Sequence, residues 1–193
     1  MTPLRLARDA EAVFRSLPHY LLPVSARVDF LHLLVAGKPA VRVKAGEAAL
    51  GPIGRWSAAN GYDHAIDDEG YCCVATGDAL AQRVLEVDRR VEPHEVELGL
   101  LLGYPRCCCE MIARVGESRI DEQAVVVAGW EFEGQFRLID PSGYRHGASL
   151  VCHLPCSPVC SASLRMARRA ARFLRRRLGE ADFATWSGWT GLL

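Results

Sequence analysis

Leu101-Leu102-Gly103-Tyr104-Pro105-Arg106-Cys107-Cys108-Cys109 is the stretch on which the reading of this chain turns. Gly103 suits the left-handed residue that ends one helix, and Pro105, with its fixed φ and missing N–H, suits the start of the next. The three cysteines therefore fall in the first turn of a helix whose apolar side carries Met111, Ile112 and Val115. Unpaired N–H groups and the helix dipole at such a start favour thiolate, the form of cysteine that binds metal. Successive helical residues diverge by about 100°, so three adjacent thiols cannot all aim at one centre. Cys108 lies on the apolar side with Cys107 and Cys109 flanking it, and helical geometry does not choose between those two.

Working outward, His153-Leu154-Pro155-Cys156-Ser157-Pro158-Val159-Cys160 repeats the design. Pro155 is read as opening the longest helix, to about Leu178, and on a helix Cys156 and Cys160 would share one face, about 5–6 Å apart at their β-carbons. Val159, Ser163, Met166, Ala170, Phe173 and Leu174 continue that face, which is expected to turn inward. Two thiolates from each helix start make a four-sulfur site, suited to a tetrahedral zinc ion or an iron–sulfur cluster.

The rest of the composition leaves this feature unexplained by stability alone. The chain has 193 residues, 23 Lys and Arg balanced by 23 Asp and Glu, and 50% hydrophobic residues, which excludes disorder for most of its length. A chain of this size folds without a disulfide or metal staple, so its eight cysteines ask for another role. Charged residues interrupt the first stretch, which argues against a secretory signal, and apolar runs such as Ala124 to Trp130 fall far short of the ~20 residues of a membrane span. A cytoplasmic protein without a membrane partner is expected. There, cysteine clusters point to metal or redox chemistry.

Element signals predict helices over residues 3–16, Asp78 to Arg90, Pro93 to Leu102, from Pro105, and from Pro155. Strands are expected over Val24 to Val35 and Ala40 to Val43 as a hairpin, and at Tyr71 to Thr76, Gln123 to Ala128, Phe136 to Ile139 and Ser149 to Cys152. Gly46 to Gly70 is read as mostly loop. The fold class is α+β, a mixed sheet with helices and two cysteine-bearing helix N-termini converging on one site. We expect one domain over 1–193, with 1–60 a candidate N-terminal subdomain and 92–178 the cysteine core.

Glu97, Gly99 and the run from Leu101 to Cys108, together with His153-Leu154-Pro155-Cys156, Cys160 and Ser163, resemble the prokaryotic family called "domain of unknown function 483" over roughly residues 92 to 175. Its pattern pairs a Gly-Tyr-Pro-x-Cys-Cys element with His-x-Pro-Cys and a later Cys. The resemblance implies Cys107, Cys108, Cys156 and Cys160 as the functional four with His153 beside them, and leaves Cys109 at a variable position. It implies a site rather than a reaction.

The expectation for function is a metal-binding protein, an enzyme of redox or sulfur-transfer chemistry on a small molecule or nucleobase. The four cysteines would hold a four-iron iron–sulfur cluster in preference to zinc, with His153 and Tyr104 as the candidate catalytic pair. Two other classes compete: a zinc-stabilised, non-enzymatic interaction or nucleic-acid-binding domain, and a thiol–disulfide redox protein. Seven arginines from Arg165 to Arg177 have the charge to track a phosphate backbone, but the charge balance of the chain disfavours that reading. Cys72 and Cys73, inside an apolar run, are read as buried hydrophobes. The acidic stretch Asp63, His64, Asp67, Asp68 and Glu69 lacks the spacing of a calcium loop.

Overall fold

The computed structural model describes residues 10–35, 37–131, 138–146 and 149–187. Among them run α1 (Ala10–Arg15), α2 (Ala26–Val35), β1 (Ala40–Lys44), α3 (Glu47–Ala59), β2 (Asp63–Ile66), β3 (Tyr71–Ala75), α4 (Asp78–Asp88), α5 (Glu95–Leu101), α6 (Arg106–Val115), α7 (Ile120–Ala128) and α8 (Ser161–Ser187). The α+β class expected from the sequence is the one that forms.

β3 lies between β1 and β2, antiparallel to both, with Val43 opposite Cys72 and Ala65 opposite Cys73. Side chains alternate across a strand. Cys72 and Val74, with Val41 and Val43, therefore join the larger core of α1, α2, α3 and α8, whereas Cys73 and Ala75 join Ala81, Val84 and Leu85 of α4 on the other face. Both thiols are fully buried, and burial pushes each up to about 12, so they stay protonated core residues. The larger core is continuous from Phe14 to Leu174 and includes Cys108 and Cys160, which ties the cysteine region to the N-terminal elements.

Several elements differ from their sequence-based expectation, each for a physical reason. Val24 to Val35 holds helix α2, not a strand, and β1 pairs with β3. Its residues from Val28 to Leu34 are all buried, and a helix buried on every side lacks the polar stripe that would mark it. In the expected loop, Ala49, Ile53 and Trp56 recur at helical spacing and are buried in α3, which outweighs Gly51, Pro52 and Gly54. β2 occupies the end of the same stretch. Gln123 to Ala128 belongs to α7: Val127 is buried while Val125 and Val126 are 74% and 54% exposed, which no two-residue alternation produces.

Ser149 to Cys152 forms no strand; it is a buried connector, with His32 Nε2 2.9 Å from the Leu150 carbonyl. Of Phe136 to Ile139, Phe136 and Arg137 lie outside the described residues, and Leu138 and Ile139 are not in a strand. The expected turn at Asp140 to Gly143 is present, with the Ser142 N–H donating to Asp140 Oδ1 at 2.8 Å. The last helix begins at Ser161 rather than Pro155, because Pro158 removes a donor and disfavours helical backbone at Ser157. Residues 3–9 of the expected first helix, the tail after Ser187 and the Arg177 side chain lie outside the described residues.

The joint between α5 and α6 sets up the site. Gly103 adopts φ +79° after the helix end, and a Cβ there would lie 2.6 Å from Pro39 Cδ, so only glycine allows both the turn and the close approach. The Tyr104 N–H then closes on the Gly99 carbonyl at 2.8 Å, and Pro105 launches α6.

Candidate metal centre

Pro105 accepts hydrogen bonds from the N–H groups of Cys108 and Cys109 at 2.9 and 3.1 Å, fixing the first turn of α6. Cys160 stands immediately before α8, its carbonyl accepting the Leu164 N–H at 3.0 Å. Cys156 lies in the bend before it, so the second pair spans a bend and a helix start rather than one helical face. The four sulfurs of Cys107, Cys108, Cys156 and Cys160 nonetheless lie within 4.8 Å of one another and could hold a metal ion. Cys107 is 3.8 Å from Cys160, Cys108 is 3.7 Å from Cys160, and Cys107 is 4.0 Å from Cys108.

Helical divergence settles the flank that sequence geometry left open. Cys109 turns away and donates to the Tyr104 carbonyl at 3.8 Å. Its sulfur occupies the space beside Gly99, where a Cβ would come within 2.5 Å of it.

Electrostatics within the four are unequal. Burial alone would raise the Cys160 thiol, yet hydrogen bonds from the Ser163 hydroxyl and N–H, and from the neighbouring thiols, bring it down to about 7. Burial raises Cys108, against the Ser163 hydroxyl and the Cys156 N–H, and burial raises Cys156 to about 12. Cys160 is thus the first of these three to carry negative charge, at the positive end of α8.

Ser163 joins the four sulfurs to His153. Its hydroxyl is 3.3 Å from the Cys160 sulfur and 2.8 Å from His153 Nε2. Burial lowers His153 to about 3, which leaves the imidazole neutral, and its Nδ1 has no hydrogen-bond partner among the described residues. The Tyr104 ring lies 5.4 Å from the His153 ring at a 35° tilt. Lys38 Nζ sits 4.5 Å over the Tyr104 ring, 2.7 Å from Asp29 Oδ1 and 3.5 Å from the Cys152 sulfur. Asp29 also accepts the Tyr144 hydroxyl at 2.6 Å. Burial alone would lower Lys38, but the Asp29 carboxylate more than offsets this and raises it.

Of the candidate catalytic pair named from the sequence, His153 meets the sulfurs through Ser163, and Tyr104 packs against His153. Sequence reasoning missed Asp29, Lys38, Tyr144 and Cys152. The available signal was a carboxylate in the middle of the apolar run from Val28 to Leu34, since a buried charge requires a partner. The acidic stretch contributes no ligand cluster among the described residues: Asp67 caps the turn between β2 and β3 by accepting the N–H groups of Glu69 and Tyr71.

Beyond the sulfurs, a cavity of about 570 Å³ opens between α5, α6, α7 and the stretches Pro141 to Arg145 and Cys152 to Leu154. Tyr104, Cys108 and His153 belong to both the sulfur site and its wall. On α8, Arg165, Arg168, Arg169, Arg172, Arg175 and Arg176 all lie on the exposed side.

Fold and site together define an α+β chain with a four-cysteine group able to hold a metal ion. No helix among the described residues is long and apolar enough to cross a membrane. Comparison with protein-family models, with curated proteins and with solved structures finds no match to this chain.

Proposed function

We propose that this is a metal–thiolate protein in which Cys107, Cys108, Cys156 and Cys160 hold one tetrahedral ion of the zinc class. The observation that carries the reading is the sulfur spacing. Zinc–sulfur bonds of about 2.3 Å put tetrahedral ligands about 3.8 Å apart, and three of the sulfur pairs measure 3.7, 3.8 and 4.0 Å. A four-iron cluster carries its ligands on separate corners and so spreads them more widely. Four thiolates complete the shell of such an ion, so its proposed role is to pin the start of α6 to the start of α8 and hold one wall of the cavity. Binding of a small molecule is assigned to the cavity.

The iron–sulfur cluster is the second reading, supported by the hydrogen bonds that Ser163 and the Cys156 N–H direct at sulfur, as an anionic cluster needs. We also propose membership of the family "domain of unknown function 483", since the residues of its two elements are the ones that meet. A cytoplasmic location remains part of the proposal, as the cysteine usage suggests. The nucleic-acid reading rests on the α8 arginines alone.

Metal analysis of protein made and purified without air tests the reading. One zinc per chain and no visible colour is the expected result. Brown protein with about four irons per chain would overturn it in favour of the cluster.

A further inference from the structure

The cavity beside the sulfur site is built asymmetrically. Leu98 of α5, Leu102 just after it, Ile112 of α6, and Ile120 and Ala124 of α7 make its walls apolar. Tyr104, Tyr144, Cys152 and His153 cluster at one end. Among the cavity's charged lining residues, Arg145 and Asp121 meet at 3.4 Å with both side chains at least 80% exposed, and Glu95, at the start of α5, is half-buried. A volume of about 570 Å³ falls within the range that small organic ligands occupy.

The polar end is rich in hydrogen-bonding groups and holds no unmatched charge among the described residues. The Tyr144 hydroxyl donates a hydrogen bond to Asp29, and burial raises both the Tyr104 and Tyr144 phenols, so both are neutral. Cys152 is pushed up to about 12 by burial, and His153 is neutral. Lys38, the cation behind them, is matched by Asp29 at 2.7 Å. An anionic or cationic ligand would lose its hydration there and meet no opposite charge in return. An uncharged one loses less.

His153 adds a direction to the hydrogen bonding. Where the Ser163 hydroxyl donates to the Cys160 sulfur, the Ser163 oxygen accepts a hydrogen bond from His153 Nε2–H. The other ring nitrogen is then an acceptor. That nitrogen, Nδ1, lies on the side of the ring away from Ser163, is buried, and has no partner among the described residues. An orphaned buried acceptor of this kind calls for a donor.

We propose that the cavity binds an uncharged small molecule with an apolar body and one terminal O–H or N–H donor, seated with that donor on His153. The proposal deepens the metal–thiolate reading in one respect: thiolates that only accept are what send the Ser163 proton to sulfur. The shape and charge of the cavity are independent of the metal.

The test is calorimetric titration of the full chain with three naphthalenes of one shape. 2-Naphthol is neutral with a donor, 2-methoxynaphthalene is neutral without one, and 2-naphthoate is an anion. Saturable binding of 2-naphthol at one per chain is expected, about tenfold tighter than either analogue, the worth of one hydrogen bond. Ala124→Trp, at a half-exposed wall position, should abolish it. His153→Phe should bring naphthol down to the methoxynaphthalene level and leave the latter unchanged. Naphthoate binding as tightly as naphthol, no saturable naphthol binding, or binding that survives Ala124→Trp would each overturn the proposal. Metal content measured on the same samples separates the two readings. Full metal without ligand binding defeats the cavity proposal alone, and ligand binding without metal defeats the metal site alone.

Discussion

Ser163 Oγ stands 3.3 Å from Cys160 Sγ, donating the hydrogen bond that does most to bring this thiol toward neutral pH. Groups that orient metal ligands from behind typically contribute a factor of 10–100 in affinity. Ser163→Ala is therefore expected to weaken metal binding by about tenfold or more while leaving stoichiometry intact, as measured by competition against a chromophoric chelator. An unchanged affinity would detach Ser163 from the site.

The ligand set itself is open to a direct contrast. Cys156→Ser and Cys160→Ser each remove a sulfur from the group of four, whereas Cys109→Ser changes a thiol that faces the Tyr104 carbonyl. The first two should lose bound metal and the third should keep most of it, by elemental analysis per chain. Equal loss from all three would show that the ligands are wrongly chosen.

Gly99 and Cys109 should be energetically linked. Alanine normally favours a helix interior over glycine by about 1 kcal/mol, but a Cβ at 99 would press on the Cys109 sulfur at 2.5 Å. Gly99→Ala should thus destabilise by about 1–3 kcal/mol through overpacking. In a Cys109→Ala background most of that loss should disappear, and urea denaturation of the four proteins closes the cycle.

The Lys38 and Asp29 pair is fully buried, with side-chain exposures of 0% and 4%. Lys38→Met leaves a carboxylate stranded in the core and is expected to cost about 3–5 kcal/mol. Removing both charges, as Asp29→Leu with Lys38→Met, should cost less than the single change. A double variant less stable than Lys38→Met would show that Asp29 does not depend on its partner.

Acid should unfold the protein partly through His32. This side chain is fully buried, and burial, with the nearby Lys38 charge, lowers it to about 4, against an ordinary value of 6.5. Between those values the unfolded chain binds the proton and the folded one does not. The stabilisation is therefore complete above about pH 6.5 and is lost as pH falls toward 4, by at most about 1.4 kcal/mol per pH unit. His32→Leu should flatten this part of the stability profile, and an unchanged slope in urea titrations from pH 7 to 5 would remove His32 from the account.

The helix boundaries around Gly103 and Pro105 were legible because glycine and proline act through their own backbone geometry, whatever surrounds them. α5 and α6 were foreseen on that basis, and α4 from the Asp78 cap and the helical spacing of Leu80, Val84, Leu85 and Val87. α2 was not, because enclosure by other elements erased the polar face that marks a helix, and α3 was hidden behind two glycines and a proline. The start of α8 was misplaced although Pro158 marked it, since Pro155 offered an equally valid signal five residues before Cys160.

By itself, the sequence determined which residues can do chemistry: thiols at two proline-marked turns, a histidine between them, and a charge balance that makes no broad electrostatic field. Those are properties of residue types and short spacings, and they survive any arrangement of the chain. Which sulfurs meet, that Cys109 is excluded, and that Asp29 and Lys38 form a neutral floor behind Tyr104 were decided only in three dimensions. Residues 114 positions apart, such as Lys38 and Cys152, become neighbours through packing of the common core, and no local pattern encodes that distance.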